Sequence, residues 1–318
     1  FKNLICYNCG TIYHQPKIDE EKLIHHYENQ YRDTDSAIYL DKKIIDLPIK
    51  FEWTSISFKR FHAFYKILRE SLDHDKFSKI KNVLDFGCYQ GSFLYACKKF
   101  LNLRTIGTDY DSEGLKMAKS LFMVDDVFKT EKNFYEKKIE ADIIVLLHVF
   151  EHLADPVEFL TKIKKNVLKK DALIYLEIPN PYSNPLNDPT HLNLFSEETI
   201  KYIMKCCNYE IIFNQKRAMY RNSSLLRNSD TLNIHILAKS LNKDTVSFPK
   251  INIGSKTYSN LVKQRNISNL KFIINYFKSF IKLLIRTAYT FVMYLLNLIS
   301  SNLAISLHEK LKKFFIRK

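Results

Sequence analysis

The stretch VLDFGCYQGSF, residues 83–93, decides the interpretation of the fold. A short apolar run ends at Gly87, and a second glycine, Gly91, precedes a segment with helical spacing. This order is typical of a buried strand that turns into a helix at one edge of a parallel sheet. Because parallel α/β sheets bind ligands at that edge, the loop is a candidate cofactor site.

The rest of the chain continues the same alternation of strand and helix. Further apolar runs lie at 104–111, 141–149, 172–181, 209–216 and 232–240, and helical spacing is found at 17–31, 55–72, 92–100, 112–121 and 155–168. Another helix is predicted from Ser196, where Ser-Glu-Glu favours a helix start. Strands that are apolar on both faces and alternate with helices predict a parallel sheet covered by helices.

The glycine spacing of the loop does not fit a dinucleotide. The loop has G-x-x-x-G with Tyr89 in the middle, and Asp85 lies just before it. A carboxylate there would repel a pyrophosphate but suits a cofactor with a cationic amino-acid end. Asp109 ends the next strand, 22 residues beyond Gly87, where an acid can accept both ribose hydroxyls of an adenosine. The alternatives are a helix-capping or turn carboxylate for Asp85 and a solvated strand-end acid for Asp109.

Five segments resemble the class I S-adenosylmethionine-dependent methyltransferases, and more narrowly those encoded among bacterial surface-polysaccharide and sugar-modification genes. In order they are VLDFGCYQGSFL, IGTDYDSEGLKMAK, ADIIVLLHVFEHLADPVEFL, LIYLEIPNP and HLNLFSEETI, which cover about residues 80–215. The resemblance implies a Rossmann-like α/β fold. Its seven-stranded sheet would have the order 3-2-1-4-5-7-6, with strand 7 antiparallel.

The resemblance also implies S-adenosylmethionine as the cofactor and assigns it residues at the strand ends. The residues that would line its methionine and ribose part, or hold its ribose, are Gly87, Cys88, Gly91 and Asp109. Asp126, which we expect after the third strand, would lie near the adenine, with Asp125 as the alternative. The segment that contains His148 would border the methyl end of the cofactor.

Histidines near the predicted strand ends are candidates for a general base, because a sugar hydroxyl must lose its proton when it is methylated. In HVFEHLADP, His152 is a base candidate with Glu151 orienting it; alternatively, the pair makes local hydrogen bonds that cap the next helix. His191, in DPTHLNLFS, is the preferred base candidate; its alternative role is to brace the loop.

Cys6 and Cys9, in C-Y-N-C-G, resemble half of a zinc ribbon. Zinc usually takes four ligands, and no second C-x-x-C pair follows. The resembling family often opens with two such pairs, so a trimmed N-terminus is one explanation; the chain begins with Phe rather than Met. We expect two free thiols, with an incomplete zinc site as the alternative. The irregular cysteine spacing favours a reducing, cytoplasmic compartment.

The sequence predicts three parts: an N-terminal segment (1–50), a methyltransferase domain (51–240) and a basic helical tail (241–318). The tail holds 14 Lys and Arg against two acids, and so 12 of the chain's 15 net positive charges. Residues 269–286 carry one polar stripe on an otherwise apolar helix, which is typical of helices at a membrane surface. Residues 287–307 contain no Asp, Glu, Lys or Arg.

Three interpretations of the tail remain open: residues 269–318 lie on the membrane, pack on the sheet domain or a second copy in a homodimer, or span the bilayer. Its Phe, Leu and Ile content argues against nucleic acid as the partner. We expect a cytoplasmic methyltransferase, peripheral on the inner face of the membrane, that acts on a sugar hydroxyl in surface-polysaccharide biosynthesis. The alternatives are a methyltransferase for a quinone-like small molecule or RNA, and a non-catalytic cofactor-binding or membrane scaffold.

Overall fold

A computed structural model describes residues 2–30, 56–130, 134–137, 139–182, 188–218, 232–242 and 246–263 of the 318-residue chain. The chain divides into two compact units, Phe1–Leu261 and Val262–Lys318. The predicted amphipathic helix at 269–286 and the uncharged run at 287–307 lie outside the described residues.

The secondary structure of the first unit follows the predicted alternation. In chain order, its elements are β1 (Lys2–Ile5), β2 (Ile12–Gln15), α1 (Glu20–Asn29), α2 (Ile56–Ser71), α3 (His74–Ser78), β3 (Asn82–Phe86), α4 (Ser92–Leu101), β4 (Arg104–Asp109), α5 (Ser112–Ser120), β5 (Asp126–Lys129), β6 (Ala141–Leu147), α6 (Pro156–Asn166), β7 (Leu168–Pro179), β8 (Asn193–Leu194), α7 (Glu197–Cys206), β9 (Tyr209–Ala218) and β10 (Leu232–Ser240). Residues 253–263 are helical as well.

Seven of these strands form one sheet with the order β5-β4-β3-β6-β7-β10-β9. The strands from β5 to β7 pair in parallel, and β10 is antiparallel to both β7 and β9. Numbered from its first strand along the chain, the sheet has the order 3-2-1-4-5-7-6 with an antiparallel strand 7. The fold prediction is therefore confirmed.

The central strands are covered on both faces. Four consecutive residues of β6, from Ile143 to Leu146, are fully buried. On one face, Phe86 packs against Phe159 of α6, with ring centroids 4.9 Å apart. On the other face, Phe64 of α2 lies against Tyr175, with centroids 5.2 Å apart. This two-sided burial explains why the strands are continuous apolar runs rather than alternating patterns.

Side-chain caps set the starts of two helices that follow strands, α5 and α7. Asp111 accepts a hydrogen bond from the Glu113 backbone N–H at 3.0 Å, and so caps α5. Ser196 accepts one from the Thr199 backbone N–H at 3.1 Å, as the Ser-Glu-Glu sequence predicted for α7. These caps satisfy donors that the first helical turn leaves without partners.

A second, three-stranded sheet joins the N-terminal segment to the loop region after β7. Strands β1 and β2 form a hairpin, and β2 pairs antiparallel with β8. In addition, His14 Nε2 lies 2.9 Å from the Asp188 carbonyl oxygen. The sequence did not predict this sheet, because a two-residue strand such as β8 has no periodicity to detect.

The hairpin turn contains the cysteine pair and packs against residues 253–257. Gly10 has a φ of +74°, and a Cβ there would lie 2.6 Å from Thr257 Oγ1 and 2.8 Å from Ile253 Cγ2. A side chain at position 10 would therefore push the turn away from that helix.

One buried hydrogen bond allows a test of how α6 and β9 are held together. Tyr209 is buried, and its hydroxyl donates to the Leu160 carbonyl at 2.8 Å. We expect Tyr209→Phe to lower the free energy of unfolding by about 0.5–1.5 kcal/mol, because a buried hydrogen bond is lost. Tyr95, whose hydroxyl forms an exposed hydrogen bond, provides a control. We expect Tyr95→Phe to change the free energy of unfolding by less than about 0.5 kcal/mol. Equal losses in urea denaturation would contradict this assignment.

Candidate active site

The loop after β3 lies against the end of β4. The backbone N–H groups of Gly87 and Cys88 both donate to the Thr108 carbonyl, at 2.8 and 3.0 Å. Gly87 has a φ of +80°, and a Cβ there would lie 2.5 Å from Val149 Cγ2. Backbone conformation and the close approach of the loop after β6 therefore both require glycine at this position.

Gly91 and Cys88, which were predicted to line the cofactor site, also have packing roles. A Cβ on Gly91 would lie 2.7 Å from Val124 Cγ2 and 2.9 Å from Ala118 Cβ, so this glycine lets α4 begin close to the end of α5. The thiol of Cys88 is buried against Gly107, and burial raises its pKa well above the usual value. The polar backbone groups of Cys88 are also engaged, because its N–H donates to the Thr108 carbonyl and its carbonyl accepts from the Gly91 N–H.

Asp109 ties the loop to the end of β4. Its Oδ2 accepts a hydrogen bond from the Tyr89 backbone N–H at 2.7 Å, and its Oδ1 accepts one from the Asp111 backbone N–H at 3.0 Å. Tyr89, which stands between Gly87 and Gly91, has a φ of +48°. Its backbone is therefore in the left-handed conformation that glycine adopts most readily. Burial raises the pKa of Asp109, although these backbone hydrogen bonds oppose the rise.

Asp85 is buried at the end of β3 with an unsatisfied oxygen. It is 2% exposed, and its Oδ1 has no hydrogen-bond partner among the described residues. Burial raises the pKa of Asp85 to about 7; the charge of Arg60 opposes this rise and that of Asp109 adds to it. Asp85 does not cap the next helix, whose N-cap is Gly91. An ammonium group would satisfy this carboxylate, so its position fits a cofactor with a cationic end.

Asp126 does not lie at this edge of the sheet, and the prediction that it follows the third strand is wrong. It is the first residue of β5, where its Oδ2 accepts a hydrogen bond at 2.8 Å from Arg104, the first residue of β4. The starts of parallel strands meet at the edge opposite to their carboxyl ends. The alternative, Asp125, bonds to Lys98 and Thr105. Phe122 and Val124, which resemble a strand, are buried in the turn after α5 instead.

The turn after β6 forms the second half of the site, around a buried carboxylate. Glu151 is 0% exposed, and its Oε1 lies 3.3 Å from His148 Nδ1. The Nε2 atoms of His152 and His191 each lie 4.0 Å from the same oxygen. The ring centroids of these two histidines are 4.8 Å apart. The structure therefore brings together the three residues that the sequence named as catalytic candidates: Glu151, His152 and His191.

His152 is oriented by two parts of the chain. Its Nδ1 lies 2.8 Å from the Thr190 carbonyl oxygen and 2.8 Å from the hydroxyl of Tyr27 on α1. Because a carbonyl can only accept, the Thr190 contact places a proton on Nδ1 and leaves the lone pair of a neutral ring on Nε2. The sequence did not place Tyr27 at this site, since helical spacing gives no direction relative to a distant loop.

His148 lies between two carboxylates that favour its protonated form. Its ring lies between Glu151 and Glu177, with Nε2 3.2 Å from Glu177 Oε1. Burial lowers the pKa of His148, but hydrogen bonds to both carboxylates outweigh burial and raise it to about 9. Burial raises the pKa of Glu177, but Arg60, at 3.4 Å, and His148 outweigh it and lower that pKa to about 2. Asn233 also donates to Glu177, at 3.0 Å.

His191 has the opposite electrostatic character. Burial lowers its pKa, and nearby His152 adds to this effect, while Glu151 and Asp188 oppose it. Its Nε2 is 3.7 Å from Asp188 Oδ2, and its Nδ1 is buried without a hydrogen-bond partner among the described residues. A neutral imidazole with a lone pair can act as a base or as a metal ligand.

Zinc binding at the N-terminal cysteine pair is not supported. Cys6 and Cys9 are free thiols, and Cys9 Sγ lies 3.1 Å from Thr11 Oγ1. Within the part of the chain that the structure describes, no group of three metal-ligating side chains includes either cysteine. The one group found in that part comprises Glu151, His152 and His191.

Residues 59–213 match the model of a protein family described as a methyltransferase domain. No curated protein matches the chain. Among solved structures, a SAM dependent methyltransferase from Archaeoglobus fulgidus is 24% identical, with a TM-score of 0.40, over 57% of this chain and 94% of its own. One from Aquifex aeolicus is 18% identical, with a TM-score of 0.42, over 62% and 95%. The plantazolicin methyltransferase BpumL, in complex with SAH, is 17% identical, with a TM-score of 0.47, over 69% and 94%.

The charge of His148 makes stability depend on pH. Its folded-state pKa, about 9, lies above the ordinary value of 6.5. Its contribution to the free energy of unfolding is therefore complete below pH 6.5 and is lost as the pH rises through 9. We expect the free energy of unfolding to fall across this window by roughly 1–3 kcal/mol more in the wild type than in His148→Gln. Urea denaturation at both pH values measures this difference. The same pH dependence in both proteins would contradict the charged state.

Proposed function

We propose that this chain, which is a class I S-adenosylmethionine-dependent methyltransferase, methylates a sugar hydroxyl on a nucleotide-sugar or a growing surface polysaccharide. The observation that carries this proposal is the cluster of Glu151, His152 and His191 beside the cofactor loop. Val149, in the same turn, packs against Gly87 of that loop. A hydroxyl acceptor needs a group that removes or stabilises its proton, and this cluster supplies one.

The ends of β3 and β4 would hold the cofactor. S-adenosylmethionine supplies a methyl group on a sulfonium, whose departure leaves a neutral thioether. The unsatisfied carboxylate of Asp85 would bind the ammonium of its amino-acid end. Each carboxylate oxygen of Asp109 already accepts one backbone hydrogen bond, from Tyr89 or Asp111. The remaining lone pairs would accept hydrogen bonds from the ribose hydroxyls. Gly87 and Gly91 would keep side chains out of the loop.

His152 and His191 are the two candidates for the base, and Glu151 would orient them. The Thr190 carbonyl fixes His152 so that the lone pair of Nε2 faces the Glu151 side of the ring. Glu151 would stabilise the imidazolium that forms when Nε2 takes the hydroxyl proton. These contacts favour His152, although the sequence alone favoured His191. The charged ring of His148 would instead add positive charge near the reacting groups.

The match to a methyltransferase domain argues against a non-catalytic scaffold. An acceptor carried on a lipid would suit the basic tail, so contact of residues 269–318 with the inner face of the membrane is part of this proposal, as is a cytoplasmic location. Of the described residues, none belongs to a helix with the length and apolar character needed to cross a membrane.

Calorimetry tests the cofactor site. The wild-type chain should bind S-adenosylmethionine, and Asp85→Asn should weaken binding at least about tenfold, because a charge-assisted hydrogen bond is lost. Asp126→Asn is a matched control at the opposite edge of the sheet and should leave the affinity unchanged. A wild-type chain that does not bind the cofactor would overturn the proposal.

A labelled-methyl assay tests the acceptor and the base, with nucleotide-sugars, surface glycans, quinone-like phenols and RNA as acceptors. His152→Ala should slow transfer to a sugar by about 10²–10⁴-fold while cofactor binding stays within a few-fold, and His191→Ala should behave similarly if it is the base instead. His62→Ala, at an exposed position of α2, is the control and should keep the wild-type rate. Wild-type rates in both active-site variants would remove the base assignment. Transfer to RNA or phenols but not to sugars would overturn the proposed acceptor.

A further inference from the structure

We propose that Glu151, His152 and His191 form a binding site for a divalent transition-metal ion at the acceptor side of the sheet. One ligand atom from each residue lies within 4.8 Å of the other two. Four-coordinate zinc holds its nitrogen and oxygen donors about 3.4 Å apart, given metal–ligand distances near 2.1 Å. The three side chains would therefore close by roughly an ångström around the ion.

The state of Glu151 points to a ligand independently of this spacing. The residue is 0% exposed, and neither of its carboxylate oxygens has a hydrogen-bond partner within the part of the chain that the structure describes. His148 Nδ1 lies 3.3 Å from Oε1 of Glu151. The Nε2 atoms of His152 and His191 face the same oxygen. A buried carboxylate oxygen without a partner is costly, and a bound cation would remove that cost.

The two histidines are arranged as metal ligands usually are. His152 contacts the Thr190 carbonyl through Nδ1, which leaves Nε2 for an ion. A ligating histidine typically donates its second ring N–H to a carbonyl or carboxylate in this way. His191 Nε2 faces Glu151 at 4.0 Å. Two imidazoles and one glutamate with an open position are a known zinc-binding set, whereas Mg²⁺ and Ca²⁺ take oxygen ligands.

This inference deepens the proposed function and rests on it for the acceptor. The open position of the ion would receive the sugar hydroxyl, and a bound cation lowers the pKa of that hydroxyl. The proton would then pass to solvent water, and neither histidine would act as a free base. Loss of His152 or His191 would slow transfer in either case, so metal binding itself must be measured.

The test uses the full chain after treatment with EDTA, titrated with Co²⁺ and followed by visible absorption. The wild type should bind one Co²⁺ with the spectrum of nitrogen and oxygen ligands. Glu151→Gln and His191→Ala should each weaken binding at least about tenfold. The double variant Cys6→Ser, Cys9→Ser removes the competing thiols and should bind like the wild type. The melting temperature and the cofactor affinity show whether each variant folds. If one of the two ligand variants does not fold, the other still tests the site.

Absence of Co²⁺ binding in the wild type, or loss of binding in the double cysteine variant but not in Glu151→Gln, would overturn the metal site. Failure of the two proposals can be told apart. If the EDTA-treated, metal-free chain methylates sugars at its full rate, the proposed role of the ion in transfer is wrong and the proposed function stands. If the chain binds Co²⁺ through these residues but methylates no sugar, the site stands and the proposed acceptor is wrong.

Discussion

Two buried carboxylates, Glu151 and Glu177, flank one histidine, His148, and the site depends on this arrangement. Each carboxylate alone would be strongly unfavourable in the interior, because burial removes it from water. His148 bridges them from a left-handed backbone conformation, with a φ of +57°. The bridge fixes the turn after β6, which in turn places Val149 against the cofactor loop and His152 beside Glu151. Arg60 of α2 neutralises the remaining charge at Glu177.

The sequence predicted the parts of this molecule that repeat a strong local pattern. Apolar runs and glycines located the central strands, and the ends of parallel strands lie at one edge, so Glu151, His152 and Asp109 could be assigned to that edge. Asp126 was misplaced because β5 has only four residues and follows an apolar turn. The pairing of His148 with Glu177 could not be predicted. Glu177 is a single acid within an apolar run, and nothing in the sequence links it to a histidine on another strand end.

The site also depends on residues that the methyltransferase domain match does not include. The match begins at residue 59, yet Tyr27 contacts the same nitrogen of His152 as the Thr190 carbonyl does. The hairpin pairs with β8, directly after His191, and so supports the loop that carries this histidine. The N-terminal segment is thus part of the structure that supports His152 and the loop with His191. Its cysteines lie in the turn of the hairpin.

The position of β10 between β7 and β9 sets the order in which the chain can be completed during synthesis. Strand β10 is the last of the sheet to leave the ribosome, yet it occupies an interior position. Until residue 240 has emerged, β7 presents an unpaired edge and β9 has no neighbour in the sheet. Asn233 reaches Glu177 only at that stage. A nascent chain that stops after β7 but before β10 is complete therefore exposes the edge of β7 and lacks a finished active site.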